Sequence, residues 1–289
     1  MKELLQMVEL IECPRDAMQG IKTEIPTETK INYINALLKV GFDTIDFGSF
    51  VSPKAVPQMS DTIKVLEGLD LSNTNSKLLA IIANTRGAAD ACAYEQVDYL
   101  GYPFSISETF QQRNTNASIE ESLKRVEEIK NLTDKHHKKL VVYISMAFGN
   151  PYGDPWHPDI AADWASRLHR DLGIEILALS DTIGTSDSAS ITNLFSTLIP
   201  ELPNVTFGAH LHTTPSSWKE KIDAAYMAGC RRFDGAIKGF GGCPMAADDL
   251  TGNMATENIL WYLDEVNVKT KVDKVLFARA MAIAETVFP

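Results

Sequence analysis

Eight short apolar runs recur along the chain, separated by helix-sized amphipathic segments. The runs are QMVELIE (6–12), TIDFG (44–48), KLLAIIA (77–83), VDYLGY (97–102), LVVYISM (140–146), IEILALS (174–180), NVTFGAH (204–210) and RRFDGAI (231–237). Strands covered on both faces read as continuous apolar stretches, and a strand plus helix every thirty or so residues is a βα repeat. Eight such units predict an α/β chain, a (β/α)8 TIM barrel. An open doubly wound sheet is the alternative, but no Gly-rich nucleotide turn follows the first run. VDKVLFARAMAIAETVF (272–288) reads as an additional C-terminal helix, for packing or subunit contact. No Pro-, Gly- or Ser-rich linker interrupts the pattern, so residues 1–289 are expected to form one domain.

Helix signals sit between the runs. In PTETKINYINALLKVG (26–41), Thr27 is the expected N-cap and Gly41 the expected stop. In ASIEESLKRVEEIKNLTDKHH (117–137), Ser118 with Glu121 three residues on has the form of a capping box. The formal net charge of -11 argues against a general nucleic-acid binder, whose footprint is basic. No apolar run approaches a membrane span, and the N-terminus is too interrupted by charge for a signal peptide. The four cysteines, Cys13, Cys92, Cys230 and Cys243, form no CxxC pair. Reduced thiols in a cytoplasmic protein are therefore the expectation.

In such a barrel the chemistry collects at the C-terminal ends of the strands. TFGAHLHTTP carries His210 and His212 two residues apart. On a strand they share a face, whereas on a helix they would point about 200° apart. Arg15, Asp16 and Gln19 follow the first run, Asp46 and Ser49 belong to the second, and Asn84 follows the third. Asp181 and Thr182 follow the sixth, and Cys243, Asn253 and Glu257 follow the eighth. Asp16, His210, His212 and Asn253 together offer oxygen and imidazole donors without thiolate. That set suits Mg or Mn, with Zn behind them. The bland alternatives are two solvated histidines and an Asp16 paired simply with Arg15. Gln19, Ser49, Asn84 and Thr182 read equally as substrate contacts or as turn and capping residues, while Phe47 and Phe50 read as packing.

The motifs PRDAMQG, SFVSPKAVPQM, SISETFQQRNTNASIEES, SDTIGT, GAHLH and GFGGCPMA...TGNMATE resemble, in order and spacing, the 3-hydroxy-3-methylglutaryl-CoA lyase family. The resemblance covers nearly the whole chain. It implies a metal-dependent TIM barrel, a homodimer, that cleaves 3-hydroxy-3-methylglutaryl-CoA to acetyl-CoA and acetoacetate, with leucine breakdown as one pathway served. By position, it implies metal ligands at Asp16, His210, His212 and Asn253, a catalytic arginine at Arg15 and a loop cysteine at Cys243. Further acids fall on Asp46, where the family more often has glutamate, and on Asp181 and Glu257. Arg15 would hydrogen-bond the thioester oxygen and Cys243 would protonate the enolate. Asp16 and His210 are candidates for the base, and Asp46 or Asp181 would orient Arg15 or a water. The chain departs from the family in CPRDAM, in the absence of cysteines after the fifth run, and in PMAADDLTG, which is one residue longer than usual. These departures leave room for a longer branched acyl chain. A Claisen-condensing synthase related to isopropylmalate or citramalate synthase is the enzymatic alternative, and a non-catalytic scaffold is a third. An acyl-CoA partner, no nucleic acid and no membrane complete the expectation.

Overall fold

A computed structural model describes residues 7–242 and 251–288. Strand β1 (Glu9–Glu12) is followed by helices α1 (Pro14–Gln19) and α2 (Thr27–Leu38), and β2 (Thr44–Ser49) by α3 (Thr62–Glu67). Next come β3 (Lys77–Ile81), α4 (Thr85–Cys92), β4 (Tyr99–Ser105), α5 (Glu108–Thr115) and α6 (Ile119–Lys135). Then follow β5 (Lys139–Ser145), α7 (Pro158–Leu172), β6 (Ile176–Asp181), α8 (Ser188–Glu201), β7 (Thr206–Leu211) and α9 (Trp218–Met227). The chain ends with β8 (Arg232–Gly235), α10 (Thr256–Glu265) and α11 (Lys274–Val287). The strands lie side by side in chain order, all parallel, and close into a barrel where Glu9–Glu12 pairs with Arg232–Gly235.

All eight expected strands form, but several are shorter than their apolar runs. β1 starts at Glu9 rather than 6, and β8 ends at Gly235 rather than 237. Val8, Ile82, Ala236 and Ile237 are buried outside the ladders, so burial extends the apolar run beyond the hydrogen-bonded strand. Alternation sorts the paired residues into two cores. Leu78, Ala80, Leu140, Val142, Ile144, Leu177 and Leu179 join the layer beneath the helices. Leu79, Val141, Tyr143, Ile176 and Ala178 form a separate cluster on the opposite faces, the filled interior of the barrel.

The helix ends differ in part from expectation. Thr27 is the first helical residue, not the cap; Pro26 holds that position, and the Thr27 hydroxyl donates to Asp61 at 2.7 Å. Proline at the cap leaves no side-chain acceptor, and α2 is instead held by buried Lys30 donating to Asp61. Gly41 lies beyond the C-cap Lys39, with φ +97° in the turn toward β2. The capping box of α6 is present in both directions, Glu121 N–H to Ser118 Oγ at 3.1 Å and Ser118 N–H to Glu121 Oε2 at 2.8 Å. Ser118→Ala is expected to cost about 1 kcal/mol, read as a lower urea midpoint at an unchanged denaturant slope.

The C-terminal helix α11 closes the underside of α2. Phe42 meets Phe277 edge-on at 6.2 Å, and Phe288 packs on both Tyr33 and Phe240. At the seam between β1 and β8, buried Glu12 accepts hydrogen bonds from the N–H of Ile237 at 2.9 Å and from the Thr256 hydroxyl. Burial pushes its carboxyl up to about 8 against these two bonds. No helix among the described residues is long and apolar enough to cross a membrane.

Candidate active site and metal centre

The C-terminal mouth of the barrel opens into a cavity of about 190 Å³. Its polar wall carries Arg15, Asp16, Gln19, Ser49, Thr182, His210 and His212, and its apolar wall carries Val51, Val56, Ile81, Pro103 and Phe110. Arg15 and Asp16 stand on the short helix α1, which starts directly after β1 with Pro14 in its first turn. That placement turns two consecutive charged side chains into a space 7% exposed at each.

Arg15 is held from two sides. Its Nε donates to both Asp46 oxygens at 3.1 Å, its Nη2 donates to Asp46 as well, and its Nη1 donates to Asp16 at 2.9 Å and Gln19 at 2.8 Å. Burial opposes the guanidinium charge, but Asp46 and Asp16 more than restore it and keep Arg15 protonated. Burial raises Asp46 to about 6 despite Arg15 on it, so it is a carboxylate at neutral pH. Asp16 is also raised by burial, but Arg15, the His210 ring and Asn253 outweigh this and hold it below its ordinary value. Asp16 accepts from Gln19 Nε2 at 2.7 Å and from Asn253 Nδ2 at 2.6 Å.

His210 and His212 come from the end of β7, with ring centroids 5.5 Å apart. The side chains of Asp16, His210 and His212 each bring one potential ligand atom to within 4.8 Å of the others. His210 Nδ1 lies 3.1 Å from Asp234 Oδ2, and Asp234 is in turn held by Arg232 at 2.9 Å. Burial would lower the His210 ring, but Asp234 raises it above its usual value. His212 is pushed down to about 4 by burial and then by His210, so its ring is neutral and one of its nitrogens carries a lone pair. Its Nδ1 is buried with no hydrogen-bond partner. A neutral imidazole with an orphaned nitrogen, beside an ionised carboxylate, suits a divalent cation. Asn253 spends its amide nitrogen on Asp16 and on the Phe240 carbonyl at 2.9 Å, which leaves its oxygen to serve as a ligand. Gly241, at φ +101°, makes this approach possible: a Cβ there would lie 2.5 Å from Asn253 Nδ2 and 2.9 Å from the Asp16 carbonyl.

Cys13, His210 and Asp234 also cluster, but Arg232 claims Asp234 and burial pushes the Cys13 thiol well up. That set therefore lacks a ready thiolate.

The remaining expected site residues separate. Asp46 is brought in, as the partner of Arg15. Asn84 is not: it caps α4, accepting from Gly87 N–H at 2.9 Å, because its side chain is taken by the helix start. Asp181 is turned aside from the cavity into an ion pair with Lys221 and a bond from Ser186. Glu257 sits on the first turn of α10 and accepts from Lys238 N–H at 3.0 Å, outside the cavity lining. Cys243 lies outside the described residues. Phe47 is core, and Phe50 packs on Tyr94 at 5.7 Å. Sequence reasoning missed Asp234, Arg232 and Lys221. The aspartate inside RRFDG resembles Asp46 inside TIDFG and carried the same signal.

The profile of the family described as HMGL-like matches residues 8–287. The 3-hydroxy-3-isohexenylglutaryl-CoA/hydroxy-methylglutaryl-CoA lyase of Pseudomonas aeruginosa is 33% identical over 271 residues, 93% of this chain and 89% of its own. The hydroxymethylglutaryl-CoA lyase of Bacillus subtilis is 33% identical over 92% of this chain and 88% of its own. An HMG-CoA lyase from Acinetobacter baumannii, solved with coenzyme A and 3-methylmalate, superposes with a TM-score of 0.89 at 27% identity, covering 98% of this chain and 92% of that one.

Proposed function

The chain belongs to the HMGL-like family, and from that premise we propose that it is a carbon–carbon lyase cleaving 3-hydroxy-3-methylglutaryl-CoA to acetyl-CoA and acetoacetate. Asp16, His210, His212 and Asn253 are the ligands assigned to a divalent ion, Mg or Mn by the oxygen-rich donor set. The observation that carries this reading is the meeting of Asp16, His210 and His212 within 4.8 Å beside Arg15. When bound, such an ion supplies Lewis-acid polarisation and lowers the pKa of a substrate hydroxyl.

The residues of the chain supply the rest. Breaking the C2–C3 bond removes the proton from the C3 hydroxyl, turns C3 into the ketone of acetoacetate, and leaves the electron pair on C2 as a thioester enolate. Arg15 is the fixed charge for that enolate oxygen. Asp46 anchors its Nε side, so the guanidinium is preorganised and need not reorient as charge develops. Gln19 and Asp16 share Nη1 and set the plane of the fork. Asp234 holds His210 through Nδ1, which favours the tautomer with its lone pair on Nε2. Ser49 and Thr182 are substrate-contact positions on the cavity wall. Cys243 is assigned the proton that C2 takes up when acetyl-CoA forms.

A coupled assay for acetyl-CoA release, with and without EDTA, tests the reading. Turnover should vanish in EDTA and return with Mg or Mn; full activity in EDTA would dismiss the metal assignment. The apolar wall of Val51, Val56, Ile81, Pro103 and Phe110 favours one further arm, a substrate with a longer branched alkyl group on C3. Turnover of that substrate alone would move the assignment within the same chemistry.

A further inference from the structure

Lys221 lies on α9, outside the cavity, and its side chain is 2% exposed. A buried lysine is uncommon unless paired. Its ammonium uses all three donors: Asp181 Oδ2 at 2.7 Å, the Gly184 carbonyl at 3.0 Å and the His212 carbonyl at 2.9 Å. Asp181 ends β6, Gly184 lies in the turn that follows it, and the third acceptor is the main chain of an assigned metal ligand.

The turn and the ligand strand are joined a second time through residues 251–254. His212 and Asn253 form an antiparallel bridge, with Thr213 N–H donating to the Gly252 carbonyl and Met254 N–H to the Leu211 carbonyl, each at 2.9 Å. The Thr251 hydroxyl in turn lies 3.4 Å from the Ile183 carbonyl. The ammonium therefore joins the end of β6 and the turn after it to the strand end carrying His212, and the segment carrying Asn253 is bonded to both.

We propose that Lys221 is a positioning residue of the metal centre, tying the turn after β6 to the main chain of His212 so that the His212 ring is held toward Asp16. The inference rests on the metal reading given above. Net stability is a poor reason for such a pair, since buried ion pairs replaced by apolar residues are often neutral or stabilising. What the ammonium supplies here is placement, because no apolar side chain can bond two carbonyls and a carboxylate at once.

Titration calorimetry with Mn2+ on the metal-free chain tests this, with thermal melting and steady-state kinetics alongside. Lys221→Met should weaken Mn2+ binding by about 10- to 100-fold, the range for residues that support metal ligands, and lower kcat more than it changes KM. Because that variant strands the Asp181 carboxylate, the charge-neutral pair Asp181→Asn with Lys221→Met is measured too. It should regain melting temperature without regaining Mn2+ affinity. The inference falls if the folded pair binds Mn2+ within about twofold of the unmodified chain, since Lys221 would then only neutralise Asp181. Asp16→Asn separates the two failures: if it binds Mn2+ as tightly as the unmodified chain, the metal reading itself is wrong.

Discussion

Arg15→Gln should lower kcat by about 100- to 1,000-fold, the loss seen when one preorganised donor to a developing oxyanion is removed, while Mn2+ binding persists. The expectation follows from the commitments of the side chain. Arg15 is held on one edge by Asp46 and on the other by Asp16 and Gln19, so its position is set before substrate arrives. Glutamine lacks the charge and the fork, and cannot bond Asp46 and reach the thioester oxygen together. The same change leaves Asp46 and Asp16 without their cation, and breaking a buried pair can cost about 3 to 5 kcal/mol of stability. Circular dichroism at the assay temperature must therefore show a folded variant before kcat is read. Activity within about tenfold of the unmodified chain in a folded Arg15→Gln would remove Arg15 from the chemistry.

The second large effect is on stability and concerns Glu12. Its carboxyl is raised from 4.5 to about 8 by burial at the seam of the barrel. A carboxyl that is harder to ionise in the folded chain than in the unfolded one gives stability that is fully present below about pH 4.5 and lost as pH rises through about 8. The difference between the protonated and ionised states is on the order of 5 kcal/mol. Glu12→Gln keeps an oxygen for Ile237 N–H and offers an amide to the Thr256 hydroxyl, without a titrating proton. The variant should therefore melt above the unmodified chain in alkaline buffer, by at least about 5 °C, with the gap shrinking as the pH is lowered toward 6. Parallel melting curves at every pH would show that Glu12 does not titrate at the seam.

The repeat of apolar runs made the barrel legible, because a strand covered on both faces must be apolar along its length. The cluster of Asp16, His210 and His212 was legible for a related reason: charged or imidazole side chains at the ends of such runs have few uses other than chemistry. Where the reading failed, the sequence contained two equivalent signals. Asp46 and Asp234 both sit inside apolar strands, and one meets Arg15 while the other meets His210 and Arg232. Nothing local tells which partner the closed sheet will bring. Lys221 reads as one more solvated lysine in KEKIDAAYMAG, since the carbonyls it bonds are acceptors that any sequence possesses. Asn84, read equally as a substrate contact or a capping residue, takes the second course. It was a polar residue after a strand, and the first turn of α4 claimed its side chain.

The seam where Glu9–Glu12 lies against Arg232–Gly235 has a bearing on biogenesis. Asp16 follows the first strand and Asn253 the last, and the bond between them spans 237 residues of chain. During synthesis, the ligand from the beginning has no counterpart until almost all of the polypeptide has left the ribosome. A partly made or nicked ring would hold isolated donors but no chelate. On the proposed metal reading, cation uptake would report completed circularisation, with the ion acting as a rivet across a joint that local folding cannot secure early.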